Sequence, residues 1–218
     1  MVFAHKIMAL NRGRKYRLFM DVMQPQPTEQ LLDVGVSFPE HSPYDNYLEK
    51  HYAWQNNITA VTLDNAENIR KSYPNIRVLT ADGRKLPFPD KSFDIVYSNA
   101  VIEHVGCGTD DQIQYFRELL RVGKRGFLTT PNRRFPIEVH SRLPLLHWLP
   151  KPMFDKVLCW IGKPYLAGNY MHLLSKADLV RLARVAGLKT YALRAQFLLG
   201  YPMTFAMYWE TTNARNQP

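Results

Sequence analysis

The sequence predicts an α/β fold: a mostly parallel, doubly wound sheet with helices on both faces. Three observations carry this. Short apolar runs, several closed by glycine or an acid, alternate with stretches of helical period, the signature of strand–helix–strand units. The last two apolar runs are separated by little more than Gly200-Tyr201-Pro202, which predicts a tightly joined antiparallel pair at the sheet edge. The 218 residues are 46% hydrophobic and 22% charged, enough to close one sizeable core and too apolar for a disordered chain.

Residues 1–22 predict an N-terminal basic amphipathic helix. The first 17 residues hold five Lys or Arg and no acid, interleaved with Phe3, Ile7, Met8 and Leu10. Such a helix packs on its own domain or lies on a membrane surface. Pro25 and Pro27 then mark a linker, and residues 23–218 form the main domain. Leu31-Leu32-Asp33-Val34-Gly35 reads as a buried strand entering a tight turn. Residues 43–54 read as helix, with Tyr44, Tyr47, Leu48 and Tyr52 near one face. A second strand at 58–63 is followed by a short helix at 66–73, stopped by Pro74. Strands at 76–80 and 93–97 come next, then an amphipathic helix at 110–122 with Ile113, Phe116, Leu119 and Leu120 along one side. A fifth strand at 126–130 ends at Pro131.

Residues 136–170 break the alternation. They are rich in proline, tryptophan and leucine, too interrupted for a sheet strand and too apolar for a solvent loop, and they predict a helical cover over the carboxyl ends of the strands. Ser175 is the expected cap of the next helix, which ends at Gly187. Strands at 188–199 and 204–209 complete a seven-stranded Rossmann-like sheet with an antiparallel terminal strand.

Lys and Arg exceed Asp and Glu by nine, which admits nucleic acid, acidic substrates or an anionic membrane surface. No run of eighteen apolar residues predicts a spanning helix, and the N-terminus lacks a leader pattern. The expected location is cytoplasmic, with the inner face of a membrane as a place of peripheral contact. Cys107 and Cys159 are far apart, without metal-ligand spacing, and are expected to be free thiols with no metal site.

In a sheet of this kind ligands bind beyond the carboxyl ends of the strands. Asp33, Asp64, Asp82 and Asn99 all follow or end apolar runs there. Asp33 with Gly35 opens the first loop. Asp64 stands where an acid commonly receives ribose hydroxyls, and Asp82 where an adenine amino group can be bound. Singly each is an ordinary turn residue; together they predict a nucleoside-type cofactor. The first loop, Gly35-Val36-Ser37-Phe38-Pro39-Glu40, has one glycine, a bulky Phe and a proline without an N–H, so it does not suit pyrophosphate. A nucleoside cofactor without phosphate fits better.

The most specific segment is Ala81-Asp82-Gly83-Arg84-Lys85-Leu86-Pro87-Phe88-Pro89-Asp90-Lys91-Ser92-Phe93-Asp94-Ile95-Val96-Tyr97-Ser98-Asn99-Ala100-Val101-Ile102-Glu103-His104-Val105. It resembles the class I S-adenosylmethionine-dependent methyltransferases with the type 11 domain. Phe116-Arg117-Glu118-Leu119-Leu120-Arg121-Val122 and the strand after it resemble the family's later segment. The resemblance implies S-adenosylmethionine as cofactor, with Asp33 and Gly35 at its methionine end, Asp82 and Gly83 at adenine, and Asn99 bordering its amino-acid part. Val36 and Phe38 stand where the family has small residues. Thr62 stands at the family's ribose acid, with Asp64 two residues later.

Methyl transfer is an in-line displacement in which positioning supplies much of the rate, and a base helps when the acceptor is a hydroxyl. His104 is the first candidate, just beyond the fourth strand. Glu138 and His140, after the fifth, are the second. Each also has a structural reading, anchoring a loop or pinning the cover. Trp148, Phe154, Trp160 and Tyr165 of the cover are expected to shape an acceptor pocket, with Lys151, Lys156 and Lys163 among them, suiting a small-molecule or lipid/glycan-linked acceptor. The alternatives are an RNA or protein methyltransferase, which the charge permits although no nucleic-acid-binding module is visible, and a non-catalytic binding protein that has lost cofactor use.

Overall fold

The computed structural model describes residues 2–40, 42–138, 141, 143–168 and 171–211, with side chains from residue 9 onward. A seven-stranded sheet runs through it: β1 (Leu31–Val34), β2 (Ile58–Thr62), β3 (Arg77–Thr80), β4 (Phe93–Asn99), β5 (Gly123–Pro131), β6 (Tyr191–Leu198) and β7 (Tyr201–Glu210). Their spatial order is β3-β2-β1-β4-β5-β7-β6. The pairings among β1 to β5 are parallel, and β7 pairs antiparallel with both β5 and β6. Strand order reverses between β1 and β4, so the loops leaving these two strands diverge and open a crevice.

Among the described residues six helices flank the sheet: α1 (Val2–Met23), α2 (Tyr47–His51), α3 (Ala66–Ser72), α4 (Thr109–Val122), α5 (Lys151–Trp160) and α6 (Lys176–Val185). Two cores result. On one face Phe116, Leu119 and Val122 of α4 and Leu179, Leu182 and Ala183 of α6 pack on Leu32, Val96 and Leu128. On the other, Phe19 and Met23 of α1, Leu48 of α2 and Ile69 of α3 pack on Leu31, Ile95 and Phe127. Phe19 is fully buried and meets Tyr97 and Phe127 edge-on at 5.0 and 5.5 Å, a burial worth about 1.5–3 kcal/mol. The basic N-terminal helix therefore packs its second half on the domain. Among the described residues no helix is long and apolar enough to cross a membrane.

Several boundaries differ from the pattern-based expectation. Residues 43–54 hold only the five-residue α2, because Asn46 adopts a left-handed backbone (φ 49°) and Tyr52 is extended. The turn before α2 is held by Asp45, whose carboxylate accepts from the Ser42 amide and hydroxyl. β5 starts at Gly123, directly after α4, with no loop. Ser175 caps α6 in a reciprocal capping box with Asp178.

The cover lies between β5 and α6. It consists of a single turn at Leu146–Trp148, α5, and another turn at Pro164–Leu166. It has its own small core of Phe154, Leu158, Leu166 and Met171. Phe154 faces inward as expected. Trp148, Trp160 and Tyr165 do not: they stand on the outer surface, Trp160 87% exposed. The inward stripe of α5 is already filled by Phe154 and Leu158, which leaves the opposite side to solvent.

Candidate cofactor site

A cavity of about 430 Å³ opens at the carboxyl ends of β1, β2 and β4, within the size range of small-molecule sites. Asp33, Gly35, Asp64, Asp82, Gly83, Asn99 and His104, which come from four separate segments of the chain, all line it.

The floor is built by β1. Alternation along the strand turns Leu32 and Val34 to the α4 face and Asp33 to the face of α1 and α2. There the buried Asp33 carboxyl lies beside the buried carboxyl of Glu49 in α2. Both groups are pushed above the ordinary carboxylate range, chiefly by burial and, for Asp33, by the neighbouring charge of Glu49. Two buried carboxyls this close cannot both ionise cheaply. No N–H or O–H of the described residues reaches either Glu49 oxygen. Arg12 of α1 also lines the cavity and lies 3.6 Å from Asp45.

Gly35 turns the chain at φ 114°. A Cβ there would sit 2.2 Å from Cγ2 of Val101, so the loops after β1 and β4 approach as closely as a bare backbone allows. The amides of Gly35 and Val36 both donate to the Val61 carbonyl. Beyond Gly35, side chains hold the loop where the family has small residues. Asn46 exchanges two hydrogen bonds with the Ser37 backbone at 3.2 and 3.0 Å. The Phe38 amide donates to Asp64 Oδ2 at 2.8 Å. Glu40 accepts from Lys50 at 2.6 Å, from Asn46 and from Tyr73.

Thr62 and Asp64 divide the work at the end of β2. Thr62 is buried, and its hydroxyl accepts from the Asp64 amide at 2.9 Å. Asp64 is exposed and lines the cavity, so it supplies the carboxylate at this rim. After β3, Asp82 is gripped by Arg84 Nε and Nη2 at 3.0 and 2.7 Å, while Arg84 Nη1 reaches Asp111 at 2.7 Å. These contacts hold the Asp82 carboxyl below its ordinary range. Asp82 Oδ1 also accepts from the Arg84 amide at 2.8 Å and from Nε at 3.1 Å. Asn99 Oδ1 accepts from the Thr129 hydroxyl at 2.7 Å, and the next residue, Ala100, is left-handed at φ 58°, a costly conformation for a residue with a Cβ.

His104 stands half-buried in the turn Ile102–His104, on the cavity wall. Glu138, expected at the acceptor mouth, is instead buried at the base of the cover. Its carboxylate accepts from the Ser141 amide, and its own amide donates to the Leu143 carbonyl. It pins the loop into the cover because a carboxylate that close to backbone N–H groups is satisfied locally. His140 lies outside the described residues. Arg12, Asn46, Tyr47, Glu49 and Tyr115 also line the cavity. No group of three or more metal-ligating side chains occurs among the described residues.

Residues 32–128 match the family model described as "Methyltransferase domain". Two structures align with nearly all of the chain. One is a protein described as "the putative methyltransferase", solved in complex with the Haloferax volcanii Trm112 methyltransferase activator (15% identity, 94% of this chain and 92% of that one, TM-score 0.61). The other is an S-adenosylmethionine-dependent methyltransferase from Thermotoga maritima (17% identity, 96% and 92%, TM-score 0.58). This is the class I S-adenosylmethionine-dependent methyltransferase fold. In sequence the chain is also similar to a Mycobacterium tuberculosis protein named "Probable S-adenosylmethionine-dependent methyltransferase". The two are 39% identical over 69 residues, 30% of this chain. The match spans about a quarter (24%) of that relative's length.

The methyltransferase domain and these relatives imply S-adenosylmethionine as the cofactor. The cavity fits it. Gly35 and Gly83 both line it, and Val101 and Tyr115 pack against the places a Cβ would take. The Glu49 oxygens, without a donor, suit a cationic group. The donor set is rich in carboxyls and has no glycine-rich amide cradle, which matches a phosphate-free nucleoside.

Proposed function

We propose that this protein transfers a methyl group from S-adenosylmethionine, by in-line displacement, to a small-molecule or lipid-linked acceptor. The observation that carries this reading is the Asp33–Glu49 carboxyl pair at the floor of a cavity whose rim holds Asp64 and Asp82. When bound, the cofactor supplies an electrophilic methyl carbon on a sulfonium centre. The protein's residues do the rest. Asp33 and Glu49 receive the cationic amino-acid end, and Asp64 accepts from the ribose hydroxyls. Asp82, held rigid by Arg84, faces the base. His104 on the cavity wall takes the proton when the acceptor is a hydroxyl.

A lipid-linked acceptor is favoured by the outer side of the cover. Met153, Trp160 and Tyr165 are all more than half exposed. The single acid between residues 143 and 168, Asp155, is paired with Lys151 at 3.0 Å. Large aromatic side chains beside cations suit a membrane interface.

Calorimetry with S-adenosylmethionine and S-adenosylhomocysteine tests the reading. The expected result is binding of both, abolished by Asp33→Ala in folded protein. If the folded wild-type chain bound neither, the methyl-transfer reading would be lost, and the fold would serve a non-catalytic role.

A further inference from the structure

A second cavity, of about 220 Å³, lies beneath the cover, between α4 and α6. Its chemistry differs from that of the cofactor site. Arg133 enters from the end of β5, Arg181 from α6 and Lys151 from α5. Neither guanidinium has an ion pair or hydrogen bond among the described residues. Lys151 is held by Asp155, and the one acid lining the cavity, Asp178, is occupied with Ser175 in the α6 cap. The free charge of the cavity is therefore positive.

His147 is the second, independent observation. It lines the same cavity, is only 4% exposed, and neither ring nitrogen has a hydrogen-bond partner. The carbonyls of Arg133 and Phe135 lie near the ring without meeting hydrogen-bond geometry, and the buried Glu138 carboxylate, which the Ser141 amide engages, is its nearest charge. A buried imidazole left this way destabilises the fold, and a ligand accepting from it would remove that cost. Ile113, Leu149, Phe154, Met171 and Leu182 give the cavity an apolar wall, with Thr109, Gln112 and His172 on its remaining side.

We propose that this cavity holds a phosphate-type anion carried on an apolar body, with Arg133, Arg181 and His147 as its donors. Its position makes it the acceptor's headgroup site. Gly108, Thr109 and Gln112 line it, while His104, Val105 and Gly106 line the cofactor cavity, so one short segment after β4 is a wall of both. Only the word acceptor rests on the methyl-transfer reading; the binding site does not.

The test is titration of the whole protein with octyl phosphate, inorganic phosphate and the neutral octyl glucoside, alongside S-adenosylhomocysteine. Octyl phosphate is expected to bind at least tenfold more tightly than either of the other two anion-site probes. It should also shift the His147 ring resonances in nitrogen-15 NMR. The exposed pair Arg133→Ala and Arg181→Ala, combined, should weaken octyl phosphate at least tenfold and leave S-adenosylhomocysteine binding unchanged. Equal binding of octyl glucoside, equal binding of inorganic phosphate, or an unaltered affinity in the double variant would each overturn the proposal. Octyl phosphate binding without any S-adenosylhomocysteine binding would remove the methyl-transfer reading and leave the anion site standing.

Discussion

The buried carboxyl groups of Asp33 and Glu49 lie side by side at the floor of the cofactor cavity, one from the first strand and one from a helical residue sixteen positions on. Their folded-state titration lies above that of an unfolded carboxylate. The sign follows from linkage: below the unfolded range both states are protonated and the pair costs nothing, and as pH rises through the folded range the cost of ionising buried carboxyls grows. Glu49→Gln is therefore expected to match wild-type stability near pH 4. At pH 8 it should exceed wild type by on the order of 1–2 kcal/mol, the scale of relieving one buried unsatisfied group. Thermal melts across pH measure this. Cofactor entry beside the pair favours ionisation, so calorimetry in buffers of different ionisation enthalpy should record proton release in wild type and less in the variant.

Asp64 holds the first loop through the Phe38 amide. Asp64→Ala removes both that anchor and the rim carboxylate, and S-adenosylhomocysteine affinity should fall about tenfold, roughly 1.4 kcal/mol. Asp64→Asn keeps an acceptor oxygen for Phe38 and should retain more affinity than Ala. Equal losses in the two variants would show that charge, and not loop anchoring, is what this position contributes.

Gly35→Ala places a Cβ against Val101 at a backbone angle that L-residues rarely adopt. The expected cost is about 2–3 kcal/mol, a drop in melting temperature of roughly 5–10 °C for a chain of this length. Val101→Ala in the same background should restore part of it by removing the methyl groups that clash. No recovery would assign the loss to the backbone angle alone.

The outward face of α5 and the turn after it bears on the lipid-linked acceptor. Sedimentation with vesicles should show the protein retained by mixtures containing phosphatidylglycerol and much less by phosphatidylcholine alone. Trp160→Ser combined with Met153→Ser should reduce retention several-fold, consistent with loss of buried apolar area, without changing the melting temperature. Unchanged retention in the double variant would place any membrane contact elsewhere on the chain.

The sheet was legible because its signal is local. Runs such as Leu31-Leu32-Asp33-Val34-Gly35 carry strand, burial and turn in five residues, and the rule that ligands gather at carboxyl ends brings Asp33, Asp64, Asp82, Asn99 and His104 to one rim. Glu49, Arg12 and Asn46 were not legible in the same way. They reach the cavity only because α1 and α2 fold over the first loop, and a buried carboxyl inside a helical stretch resembles an ordinary surface acid. The length of α2 was misjudged for a related reason: the periodicity of four aromatic and aliphatic positions runs on through Asn46, whose left-handed turn leaves no mark on the apolar pattern. In the cover, composition revealed an apolar insertion but could not tell which stripe of α5 would find partners. Trp160 therefore seemed a pocket residue. Glu138 was read by its place after a strand, whereas the Ser141 amide three residues on decides its role.

The Gln112 side-chain amide donates to the carbonyls of Ile102 and His172, both at 2.9 Å. One carbonyl belongs to the turn after β4 and the other to the strap that returns from the cover. The His172 amide donates to the Glu103 carbonyl at 2.6 Å, so turn and strap are stitched together twice. An asparagine at 112, one methylene shorter, would have to let go of one of its two carbonyls and leave the seam between the two cavities to the backbone bond alone.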